Sequence, residues 1–91
     1  MAQPTKNLLD AANRVVMNKD YELEVPAPEK FDAKKGVQLT LSMKDQREHG
    51  VVARMAYEVD GLLYIQDTVM ASNGDTKEVW KRGKQPLVLP T

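Results

Sequence analysis

Residues 51–70 read VVARMAYEVDGLLYIQDTVM. Two runs rich in β-branched and aromatic residues flank Asp60-Gly61. That dipeptide suits a type I′ turn, where both central residues need positive φ. A two-residue loop there predicts the hairpin register: Val59 opposite Leu62, Tyr57 opposite Tyr64, Arg54 opposite Asp67. The last pair sets opposite charges across from each other, which supports the register from within the sequence. On the first strand Val51, Ala53, Met55, Tyr57 and Val59 make the more apolar face. On the second, Leu62, Leu63, Tyr64 and Ile65 follow one another without a polar break. A strand apolar on both faces needs a cover on each, so the sheet is expected to carry a helix on one side and a second element on the other.

Asn73-Gly74 is another turn signal of the same kind. It predicts a strand over 75–81 lying back on 62–70, with Val79 opposite Thr68 and Trp80 opposite Asp67. Because side chains alternate along a strand, this register puts Trp80 on the face of Arg54 and Asp67, away from Tyr57 and Tyr64. The remainder, from Arg82 to Thr91, is expected to leave the sheet as an extended arm carrying Pro86, Leu87, Val88, Leu89 and Pro90.

Upstream, VQLTLSM (37–43) alternates Val37, Leu39, Leu41 and Met43 with Gln38, Thr40 and Ser42. This predicts a half-buried strand, followed by a charged connection, KDQREHG, over 44–50. Residues 19–36 read as an extended acidic arm. Tyr21, Leu23 and Val25 alternate with Glu22 and Glu24 in a short strand, and Pro26 and Pro28 then hold the chain extended. Residues 5–18 predict a helix, with Leu8, Leu9, Ala12, Val15 and Val16 along one face, and Thr5 or Pro4 at its start. Asp10 and Arg14 sit four apart in the favourable order. A helix this short needs a sheet or another subunit against its apolar face.

The expected fold is therefore α+β. One N-terminal helix packs on a four- or five-stranded, mainly antiparallel meander over 37–81, with extended arms, in a single small domain of 91 residues.

The composition narrows the functional classes. The chain has 42% hydrophobic and 29% charged residues, which is that of a folded soluble domain. Formal net charge is zero, so no global field draws it to nucleic acid or to anionic lipid. It has no cysteine, which removes disulfides, thiolate catalysis and cysteine metal sites. No apolar run approaches the roughly 20 residues a membrane span needs. The N-terminus lacks the basic start and apolar stretch of a signal peptide. The cytoplasm, or the inside of an assembled particle, is the expected location.

No constellation points to catalysis, a cofactor or a metal. His49 is the lone histidine and sits in a charged segment without a partner. Glu22 with Glu24, and Glu29 with Asp32, read as solvated pairs and lack the apolar cleft that separates two carboxyl pKa values. Phosphate-binding glycine motifs are absent. Asn73, Gly74 and Asp75 resemble a fragment of a calcium loop whose other ligand positions do not follow.

Two binding roles remain. Residues 20–32 hold Asp20, Glu22, Glu24, Glu29 and Asp32 against Lys30 alone. Residues 77–84 hold Lys77, Lys81, Arg82 and Lys84 against Glu78. Oppositely charged, proline-stiffened arms suit docking between copies or onto another protein, through Val25, Pro26, Pro28, Pro86, Leu87, Val88 and Leu89. The leading expectation is thus a non-enzymatic structural, assembly or protein-interaction module, a small accessory protein of a viral or mobile-element type. The rival is a single-stranded nucleic-acid binder that stacks bases on Trp80, Tyr57 and Tyr64 and tracks phosphates with Lys77, Lys81, Arg82 and Lys84.

Overall fold

The computed structural model describes residues 4–86, with side chains from residue 7 onward. The elements are α1 (Pro4–Asn18), β1 (Tyr21–Val25), a 3-10 turn (Ala33–Lys35), β2 (Val37–Gln38), α2 (Met43–His49), β3 (Val51–Val59), β4 (Leu62–Met70) and β5 (Thr76–Pro86). The five strands form one sheet in the order β1-β5-β4-β3-β2, antiparallel at every step. The fold is α+β with a meander at its centre.

The β3–β4 hairpin has the expected register, including Tyr57 opposite Tyr64 and Arg54 opposite Asp67. Asp60 and Gly61 both take positive φ, 52° and 78°, as a type I′ turn requires. The next turn differs by one residue. The Ala71 N–H donates to the Asp75 carbonyl at 2.7 Å, and the Gly74 N–H donates to the Ala71 carbonyl at 2.9 Å. The loop is therefore residues 72–74, closed by Gly74 at φ 92°. A turn followed by a left-handed glycine is the usual three-residue hairpin loop. The added residue moves the register: Trp80 faces Gln66 and Val79 faces Asp67. A one-residue slip turns every side chain of a strand over. Trp80 thus leaves the face of Arg54 and Asp67 and joins Tyr57 and Tyr64.

The expected arm at 82–91 also changes. β5 continues to Pro86, opposite Leu62, and its other edge is taken by β1. Tyr21 pairs with Gly83, Glu22 with Arg82 and Val25 with Trp80, and the Lys84 N–H donates to the Asp20 carbonyl at 3.1 Å. Residues 82–84 stay in the sheet because β1 supplies partners on the free edge, and pairing with β4 carries the strand on to Pro86. The sheet reaches beyond 37–81 at both ends of the chain. Leu87, Val88 and Leu89 lie outside the described residues.

The strand expected over 37–43 is mostly absent. Only Val37 and Gln38 pair with β3, and the Leu39 N–H extends the ladder to the Arg54 carbonyl at 2.9 Å. Ser42 then caps α2. Its hydroxyl accepts the Asp45 N–H at 3.1 Å, and the Asp45 carboxylate accepts the Ser42 N–H at 3.4 Å. This reciprocal box starts a helix where a strand and a loop are expected. Met43 accordingly points outward, 59% exposed, instead of joining Val37 and Leu39. Gly50 ends α2 at φ 66°, a left-handed cap.

On one face of the sheet, Leu8 and Ala12 of α1 pack with Val37, Leu39, Ala56 and Leu63. On the other, residues 26–36 cross from β1 to β2 as a strap. This is the second cover that the apolar run at 62–65 calls for.

Candidate functional site

The strap face holds an aromatic cluster. Alternation and register bring Tyr57 from β3, Tyr64 from β4 and Trp80 from β5 to one surface. Ring centroids lie 5.7 Å apart for Tyr57 and Trp80, and 6.2 Å for Tyr64 and Trp80. Phe31 of the strap sits edge-on to both Tyr57 and Trp80, at 5.1 and 4.9 Å. Such edge-to-face contacts set the ring's positive rim against a neighbour's negative face. The strap comes this close because residue 36 is glycine, where a Cβ would collide with the Tyr57 ring. Trp80 and Tyr57 are buried beneath it, while Phe31 remains 40% exposed. Tyr57 also reaches the Gln66 side chain, its hydroxyl donating to Oε1 at 3.4 Å.

The helix face holds an ion network. Arg54 donates twice to Asp67, from Nε at 2.6 Å and Nη2 at 3.1 Å, and once to Asp45 from Nη1 at 3.2 Å. Lys81 adds a third cation contact to Asp67, at 2.9 Å. Arg54 and Asp67 are both buried. Burial works against the Arg54 charge, but the Asp67 and Asp45 carboxylates outweigh it and raise the guanidinium pKa. Burial would raise the Asp45 carboxyl, but the Ser42 hydrogen bonds and the Arg54 charge hold it below its ordinary value. No buried side-chain nitrogen or oxygen among the described residues lacks a partner. The network ties α2 to the sheet and has its valences filled from within.

No protein-family model matches the chain, and no curated protein or solved structure matches it either.

The residues expected to bind nucleic acid are thus divided. The structure unites Tyr57, Tyr64 and Trp80 but separates the cations. Lys81 turns to the helix face, against Asp67 and over the Tyr21 ring at 5.2 Å. Arg82 is held by Glu22 at 2.9 Å on the strap face. Lys77 and Lys84 are exposed. The residues expected to dock a partner are also placed. Val25 is a half-buried member of β1, Pro26 is exposed, and Pro86 ends β5. Pro28 lines an open cleft of about 290 Å³ with Val59, Leu62 and Tyr64. The two oppositely charged segments meet within one chain, through β1 and β5, where docking between copies is the sequence-based expectation.

Phe31, Gly36 and Asp45 are the residues that sequence reasoning missed. Ser42-Met43-Lys44-Asp45 carries a readable capping signal. Phe31 is the chain's single phenylalanine, set among prolines and charges, and no periodic pattern marks it. His49 lies exposed at the end of α2. Among the described residues no three acidic or histidine side chains are grouped to hold a metal. Among the same residues no helix is long and apolar enough to cross a membrane.

Proposed function

We propose that the chain is a non-enzymatic assembly and protein-interaction module that associates with further copies of itself. The observation that carries this is the β1–β5 pair. The chain holds both halves of a recognition surface: an acidic edge strand with Glu22, and a basic strand with Arg82 at 2.9 Å from it. Charge complementarity of this kind fixes register and partner choice. Leu23 adds an apolar side chain to the edge strand, 75% exposed. A role inside an assembled particle, of viral or mobile-element type, and a cytoplasmic location go with this reading. So does a contribution from Leu87, Val88 and Leu89 beyond β5. Light scattering after size exclusion tests it. The expected result is a mass that rises with concentration, and a monomer at every concentration removes the proposal.

A second reading is favoured by a different observation, the shared face of Tyr57, Tyr64 and Trp80. A stacking platform for unpaired bases needs its aromatics on one side of a sheet. In this reading Phe31 is the lid, and single-stranded nucleic acid displaces it. Quenching of Trp80 fluorescence by an oligonucleotide, weakened by added salt, is the expected signature. An unchanged spectrum at low salt removes it.

A further inference from the structure

Residues 26–31 join the two halves of the fold, yet no hydrogen bond ties them to the sheet among the described residues. Phe31 anchors the far end of this segment against Tyr57 and Trp80. Before it lie α1 and β1, joined by the two residues Lys19 and Asp20, whose amides close the end of α1 on the Val16 and Val15 carbonyls. After it lies the body formed by β2, α2, β3, β4 and β5. The N-terminal unit meets the body through two surfaces: Leu8 and Ala12 against Val37, Ala56 and Leu63, and β1 along β5.

We propose that this unit exchanges between two copies, so that α1 and β1 of each chain dock on the body of the other. The proposal rests on the self-association reading and gives it a mechanism. Every contact between unit and body is kept in the exchanged dimer, so the exchange sacrifices no packing and closes with two-fold symmetry. Only the connection differs between the two forms. Its sequence, Val25-Pro26-Ala27-Pro28, favours the open one, because each proline resists folding back and holds its predecessor extended.

Length permits both forms. The outer strands β1 and β2 are separated by the width of a five-stranded sheet, about 19 Å at the usual strand spacing. Residues 26–36 reach at most about 36–40 Å when extended. The slack that lets the strap curl over the aromatic cluster is enough to bridge two bodies once the residues before Phe31 straighten.

The absence of native cysteine makes the test direct. Glu22 and Arg82 are register partners on the exposed surface, so Glu22→Cys and Arg82→Cys on separate chains are held within disulfide reach when β1 of one chain lies on β5 of the other, and otherwise meet only by collision. The two full-length variants are mixed, refolded together at high concentration and oxidised. A parallel mixture carries Lys77→Cys in place of Arg82→Cys, since Lys77 faces Val69 at the far end of β5. The expected result is at least tenfold more covalent heterodimer from the first mixture, with less after Pro26→Gly and Pro28→Gly relax the connection. Equal yields, or no heterodimer, overturn the exchange. If light scattering still finds a dimer, association proceeds through another surface and the broader reading stands. If it finds only monomer, both fall.

Discussion

Arg54 grips Asp67 through two parallel hydrogen bonds, 2.6 and 3.1 Å, in the interior of the sheet's helix face. Asp67 also accepts from Lys81 at 2.9 Å, so its loss strands two cations. Asp67→Ala is expected to destabilise the fold by about 3–5 kcal/mol, the usual result of breaking a buried pair from one side. Replacing Arg54 and Asp67 together with Met and Leu is expected to cost less, since only Lys81 and Asp45, both partly open to water, then lose a partner. Urea denaturation of the two variants makes the comparison. A single-variant loss below about 1 kcal/mol contradicts the assignment.

Acid is expected to loosen α2 before the sheet. Asp45 is held below its ordinary pKa in the folded state, so the folded chain binds its proton less readily than the unfolded chain does. Its stabilising contribution is therefore full above the unfolded carboxyl pKa, about 4, and fades as pH falls through the lower folded value. Asp45→Asn abolishes that part of the pH dependence. Amide exchange across residues 43–49 below neutral pH measures it, and an identical acid profile for both proteins rules it out.

Loop length fixes which face Trp80 takes. Deleting Ser72 leaves Asn73-Gly74 as a two-residue turn and shifts β5 by one position. Trp80 would then point at the ion network, and Lys81 at the aromatic cluster. The expected outcome is a loss of cooperative unfolding, with Trp80 emission moved to the red. A native-like emission spectrum and melting curve would mean the sheet absorbs the deletion elsewhere.

Phe31→Ala removes two edge-to-face contacts, each worth about 0.5–1.5 kcal/mol beyond the area it buries. The loss is expected to fall near 1–3 kcal/mol, since Phe31 is only partly covered. Trp80 becomes reachable by acrylamide in the same variant. Unchanged quenching would show that the strap covers Trp80 without the help of Phe31. Gly36→Ala is expected to act the same way by pushing the strap off the Tyr57 ring.

Much of the architecture is legible in local signals. Asp60-Gly61 sets its hairpin because a two-residue turn admits one register. The apolar run Leu62, Leu63, Tyr64, Ile65 announces covers on both faces, and the helix and the strap supply them. Other parts depend on information the local pattern lacks. Asn73-Gly74 fits a two-residue or a three-residue loop equally well, and the choice turns over a whole strand. The alternation at 37–43 is real, but the capping box of Ser42 and Asp45 takes Met43 into a helix. β5 beyond Lys81 looks like an arm until β1 arrives on its free edge. Of the candidate site, Tyr57, Tyr64 and Trp80 are nameable from sequence, but their union on one face depends on that single loop residue. The charged segments are likewise visible in the sequence, but their meeting in one chain is not, because nothing local records a contact 60 residues apart.

That same separation imposes an order on synthesis. β1 leaves the ribosome well before β5, and the body that receives α1 is completed only when the hairpins after it have closed. During that interval the acidic strand has no home in its own chain. β1 therefore passes through synthesis as an unpaired edge and is taken into the sheet only once β5 is complete.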